Sequence, residues 1–261
     1  MNRHVVDRET KSETGHELVA AVSGLRFRYP GASAKEEGHW LLDIGSLHIH
    51  TNSAYSLLGE NMVGKTTLVR VLTGTLDAPS RGYLEGSFCY GAVTGRFPVD
   101  PRIVRRVGIC AVHQNDMMFD GLSIWENVLL GAPSRAAVRF HGPAARNSLR
   151  LTLARLANHE ARSEASALGT LSAGGRAMVR TIRAVAWGYR LLVLDEPTVN
   201  LDPKNRDRWF FLLGELWTNP ASVVLVSHDP EDHTALRNLA LRSGRVYKAF
   251  KLHDGMLNEC E

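Results

Sequence analysis

The spacing of hydrophobic positions changes several times along the chain, and each spacing predicts a different element. From residue 18 to about 49, apolar and polar residues tend to alternate, as in LRFRYPGAS and LLDIGSLHIH. Alternation of this kind predicts short strands of a small antiparallel β region. SAYSLLG then runs into GENMVGK and TTLVRVLTG, which reads as a strand, a tight loop and a helix closed by Gly74. Residues 75–112 hold glycines, prolines and short β-like pieces such as RVGICAV, the mark of loops and edge strands. After Gly121 the spacing turns helical. Ser123 and Glu126 stand at capping-box distance, and Leu149, Leu153 and Leu156 recur on one helical face, so 115–170 reads as a helical insertion. The runs RLLVL at 190–194 and SVVLV at 222–226 are continuously apolar and bounded by polar residues, as buried parallel strands are.

Strands of this type separated by helices predict an α/β sheet. The predicted division is a polar N-terminal tail over 1–17, one domain over 18–248, and a C-terminal tail over 249–261. A chain of 261 residues with 44% hydrophobic content can bury a sizeable core. Its longest apolar runs fall far short of the roughly 20 residues that a membrane-spanning helix needs. The opening MNRHVVDRETKSETGHE lacks the apolar stretch of a secretory signal. Cys89, Cys110 and Cys260 are scattered without a CxxC pair, which argues against a disulfide framework or a zinc site and fits a reducing cytoplasm. The net charge of +4 comes from arginines that are spread rather than run together, which argues against a nucleic-acid partner.

Three stretches carry chemistry. GENMVGKT at 59–66 satisfies G-x-x-x-x-G-K-[ST] between a predicted strand and helix. The backbone N–H groups of Gly59, Glu60, Asn61, Met62, Val63 and Gly64, with those opening the helix at Lys65, Thr66 and Thr67, suit a polyphosphate. Lys65 would bridge the outer phosphates, and Thr66 would give its hydroxyl to Mg²⁺. LLVLDEP at 191–197 sets Asp195 and Glu196 at the C-terminal end of a buried strand, where open α/β sheets hold ligands. Asp195 would hold Mg²⁺ and Glu196 would act as general base on the attacking water. LSAGG enters a helix with Ser172, Ala173, Gly174 and Gly175 at its N-terminus, a second anion site that one triphosphate does not obviously need.

GENMVGKTT, His113-Gln114, LSAGG, LLVLDEPTVNLD and LVSHD, in this order and spacing, resemble the ATP-binding cassette domain of ABC transporters. The resemblance runs from residue 18 to about 247. It implies a P-loop NTPase (RecA-like) core with a small antiparallel β subdomain and an inserted helical subdomain. Tyr29 is then the aromatic that stacks on adenine, and Gln114 the lid-loop residue that senses Mg²⁺ and the attacking water. Asp202 is the residue that communicates across a dimer, and His228 the switch that meets the γ-phosphate. In this family two cassettes pair head to tail, as homodimer or heterodimer, so Ser172 and its neighbours close over ATP held by the other copy's Lys65. The resemblance further implies ATP and Mg²⁺ as cofactors, integral membrane permease subunits as partners, and a place on the cytoplasmic face of the membrane. GKTTLVRVLTG, LSIWEN and the signature helix, whose opening turn is LSAGG, are most similar to ATPases of ribose-type carbohydrate importers, which implies uptake and a solute-binding protein.

The chain departs from the family pattern at three positions. Met62 stands where glycine is common, and its loop should still bind phosphate unless a positive φ is required there. Ala173 replaces a common glycine, and Gly175 stands where Gln or Glu is usual. Two rival readings stay open on the sequence: a non-transport cassette acting on DNA or the ribosome, and a weakly hydrolysing regulatory cassette.

Overall fold

The computed structural model describes residues 15–30, 40–76, 82–113, 116–130, 165–186, 188–217 and 220–260. In chain order these form β1 (Leu18–Arg28), β2 (Leu42–His50), β3 (Ser53–Leu58), α1 (Lys65–Thr73), β4 (Tyr83–Tyr90), β5 (Val93–Arg96), α2 (Pro101–Arg106), β6 (Ile109–Val112), α3 (Ile124–Leu129), α4 (Ala173–Val185), β7 (Leu191–Asp195), α5 (Pro203–Leu216), β8 (Ser222–Val226), α6 (Pro230–Arg242), β9 (Val246–His253) and β10 (Met256–Cys260). Most of the expected insertion at 115–170 and most of the expected tail at 1–17 lie outside the described residues. Among the described residues no helix is long and apolar enough to cross a membrane.

The chain forms two compact units. The first takes in residues to 111 together with 190–195 and 219–261. It holds a four-stranded sheet in the order β2-β1-β4-β5, antiparallel throughout, and a six-stranded sheet in the order β10-β9-β3-β8-β7-β6. β3 runs parallel to both β8 and β9, and β7 runs parallel to β8. β7 and β8 are buried at every position, as strands covered on both faces must be. Register fixes what leaves the sheet at its carboxyl edge: Leu57 and Asp195 both pair with Val226. The loop after β3, Asp195 and the turn after β8 therefore emerge side by side, where α/β sheets place their ligands.

The core of this unit joins Phe27, Leu42 and Ile44 of the antiparallel sheet to Leu68 and Val69 of α1 and Val193 and Val226 of the larger sheet. Tyr90 is buried there and donates its hydroxyl to the Leu72 carbonyl at 2.8 Å. Burial pushes that phenol's pKa far up, so it remains a neutral donor.

The second unit comprises 112–189 and 196–218, wider than the insertion expected at 115–170 because α4 and α5 belong to it. Its α3 begins with the capping box that the sequence predicts: Glu126 N–H donates to Ser123 Oγ at 3.1 Å, and Ser123 N–H to Glu126 Oε2 at 2.8 Å. α5 packs on α4 through fully buried Trp209, whose indole N–H donates to Thr181 Oγ1 at 2.9 Å. The Thr181 hydroxyl in turn donates a hydrogen bond to the Ala177 carbonyl at 3.0 Å, so no polar atom of the pair is stranded.

Residues 249–261 are not a tail as far as Cys260: β9 and β10 form an antiparallel hairpin, and β9 pairs with β3. The physical reason is the hairpin turn Asp254-Gly255, both residues at positive φ, which folds β10 back on β9, the second parallel neighbour of β3.

Candidate functional site

The loop between β3 and α1 is shaped by its backbone. Gly59 sits at φ 152°, and a β-carbon there would lie 2.7 Å from the Leu252 carbonyl oxygen, so no larger residue fits. Gly64, also at positive φ, ends the loop and offers no side chain to cap α1, which leaves the first-turn N–H groups to an anion. Lys65 is buried, and its ammonium donates to the carbonyls of Gly59 at 2.6 Å and Glu60 at 2.7 Å. The loop is thus wrapped around its own cation.

Thr66 Oγ1 donates to Asp195 Oδ1 at 3.1 Å, joining the start of α1 to the end of β7. Asp195 is 0% exposed, a carboxylate buried where it meets a hydroxyl. Next along α1, Thr67 Oγ1 shares a 3.0 Å hydrogen bond with the Tyr29 hydroxyl, and the Tyr29 ring packs edge-on against Phe27 at 4.9 Å. Among the described residues no group of three or more His, Cys, Asp or Glu could hold a metal. A hydroxyl and one carboxylate fit Mg²⁺, which takes few protein oxygens and completes its shell with water and phosphate.

Met62 adopts φ +67° with a side chain that is 97% exposed. The loop does require positive φ at that position, at a cost of about 1–2 kcal/mol for a residue with a β-carbon. Glu196, which follows Asp195 and is half-buried, also sits at positive φ, +50°. Strained backbone at a side chain with a proposed chemical role is where such strain tends to be kept.

In the second unit, Ser172 caps α4 by accepting from the Gly175 N–H at 3.1 Å. The Gly175 backbone is therefore part of the cap, whatever its missing side chain does. Asp202 caps α5, accepting from the Asn205 N–H at 2.9 Å and the Asn205 amide at 2.6 Å. The Asn205 backbone N–H holds the Asp202 carboxyl below the ordinary carboxylate range. The Asn205 side chain in turn covers Gly174. The signature turn and Asp202 are thereby linked through one amide.

His228 is exposed on the turn between β8 and α6. Gln114 lies outside the described residues. The structure thus gathers Lys65, Thr66, Asp195 and Tyr29 through α1, and Ser172–Gly175 with Asp202 through Asn205. Sequence reasoning missed Asn205, Ser227, Asp232 and His233. The Asp-Pro step at 229–230, a helix N-cap followed by proline, was the one local sign of a built turn after His228.

A family model described as ABC transporter matches residues 42–199, more than half of the chain. The chain belongs to the ABC transporter family. Its cassette is 30% identical over 221 residues to the ribose import ATP-binding protein RbsA 3 of Rhizobium etli, covering 84% of this chain and 40% of that protein. It is 32% identical over 228 residues to the arabinose import ATP-binding protein AraG of Rhizobium meliloti, again 84% and 40%. The cassette therefore spans about two fifths of the length of these relatives. Among solved structures, a nucleotide-free ATP-binding cassette from an ABC transporter superposes with a TM-score of 0.67 at 18% identity, covering 93% of this chain and 90% of that one. That likeness bears on the fold, a P-loop α/β core with an antiparallel β subdomain, as the sequence predicts.

Proposed function

We propose that this chain is the ATP-binding and ATP-hydrolysing subunit of an ABC transporter, which powers solute movement through a separate integral membrane permease. The observation that carries the reading is the hydrogen bond from Thr66 to buried Asp195 beside the Lys65 loop. It supplies a phosphate cradle and an oxygen pair for Mg²⁺ in one place. When bound there, Mg²⁺ supplies charge neutralisation on the phosphates. Lys65 exchanges its loop carbonyls for phosphate oxygens, and the N–H groups of residues 60–67 hold the chain of phosphates. Tyr29, fixed by Thr67 and Phe27, offers its ring to adenine. Glu196 accepts the proton of the attacking water, and His228 contacts the γ-phosphate.

Two cassettes pair so that Ser172, Ala173, Gly174 and Gly175 of one copy close over the nucleotide of the other, with Asp202 at the junction. This assembly gives the second anion site its use. The names of the relatives, ribose and arabinose import proteins, favour sugar-type uptake with a solute-binding protein, at the cytoplasmic face of the membrane. Purification from native membranes tests the partnership: an integral permease should co-purify with the chain. Recovery with ribosomes or DNA in its place would overturn the transport reading.

A further inference from the structure

We propose that Ser227, Asp232 and His233 form a buried clamp that positions His228, an inference that rests on the switch role assigned to His228 above. Ser227 follows directly on β8 with its side chain buried. Its hydroxyl donates to Asp232 Oδ2 at 2.7 Å and accepts from the Asp229 N–H at 3.1 Å. Its carbonyl lies 2.9 Å from His233 Nε2. A carbonyl can only accept, so Nε2 carries the proton and the tautomer of His233 is set.

These contacts bracket His228. The Ser227 carbonyl belongs to the planar peptide before the His228 α-carbon, and the Asp229 N–H belongs to the peptide after it. Both planes are tied to the clamp, so φ and ψ of His228 are fixed while its imidazole stays exposed. Asp232 and His233 lie in the first turns of α6, whose N-terminus is held by Asp229 accepting from the Glu231 N–H at 2.9 Å. The switch residue is thus carried on a rigid turn anchored to the first turns of one helix.

Asp232 and His233 are both buried. A buried carboxylate and imidazole cost free energy unless hydrogen-bonded, and an apolar turn would reach the same fold more cheaply. What the polar pair adds is direction: it sets where His228 stands. Catalytic geometry is sensitive to displacements of about 1 Å, so a loosened clamp should slow turnover while leaving nucleotide binding intact.

The test uses the full chain with Mg·ATP, comparing wild type, His228→Ala, Ser227→Ala and Ser227→Thr. Ser227→Ala should lower kcat about tenfold while KM for ATP stays within about twofold. Ser227→Thr, which keeps the hydroxyl, should recover most of the rate. In a His228→Ala background Ser227→Ala should cost nothing further, because the clamp acts only through His228. Full kcat in Ser227→Ala beside an impaired His228→Ala would overturn the clamp, as would a Ser227→Ala loss that persists undiminished without His228. If His228→Ala keeps the wild-type rate, the switch role itself fails, a result separate from failure of the clamp.

Discussion

A β-carbon added to Gly174 would lie 2.6 Å from Cγ of Asn205, so the signature turn and the α5 cap are in steric contact at a point that only glycine permits. Gly174→Ala should therefore destabilise the chain by about 1–3 kcal/mol through overpacking, more than alanine returns in helix propensity. Replacing Asn205 by Ala in the same chain should recover part of that loss. Denaturant unfolding of the two single variants and the double variant measures the coupling; additive losses would show that the two residues do not meet.

Met62 offers the opposite case, a residue at positive φ with an almost fully exposed side chain. Met62→Gly should remove backbone strain at little cost in burial, raising stability by up to about 1 kcal/mol after allowance for glycine's flexibility in the unfolded chain. Met62→Val should lower it, since a β-branched residue tolerates that conformation worst. Thermal unfolding with and without Mg·ATP compares the three side chains.

Where the sequence was informative, the information was local. The strand, tight loop and helix from Ser53 to Thr73, the capping box at Ser123 and Glu126 and the buried runs of β7 and β8 each depend on residues a few positions apart, and each stands where the pattern predicted it. The positive φ of Met62 was not legible, because nothing in a methionine announces it. The contact of Gly174 with Asn205 joins two helices and leaves no trace in spacing. The hairpin of β9 and β10 is different: Asp254-Gly255 is itself a strong turn signal, and it lies within the residues expected to be a tail.

Asp195→Asn tests the metal role proposed for that carboxylate apart from its structural one. Asparagine still presents an oxygen to Thr66 but brings no charge. Binding of Mg·ATP should weaken about tenfold or more, while binding of ATP in chelator should hold or tighten, because a negative charge near the phosphates is gone. Calorimetric titration under both conditions gives the comparison. Equal weakening in both would assign Asp195 to folding alone.

The capping box makes one part of stability dependent on acid. The Ser123 hydroxyl and N–H hold Glu126 below its ordinary pKa. A carboxylate depressed in the folded state contributes stability that is fully present above its unfolded value and is lost as pH falls through the folded one. Wild type should therefore exceed Glu126→Gln in unfolding midpoint at pH 7, and the difference should shrink as pH falls below about 4. A gap that stays constant with pH would contradict the assignment.

The most direct measurement is steady-state ATP hydrolysis by wild type and Glu196→Gln, each with its membrane partner present, alongside ATP binding by both. Glutamine keeps the shape of the side chain and removes the base. Binding should be retained while the rate falls at least about a hundredfold, the scale of a lost general base. Equal rates in the two proteins would contradict the proposal that this chain hydrolyses ATP through Glu196.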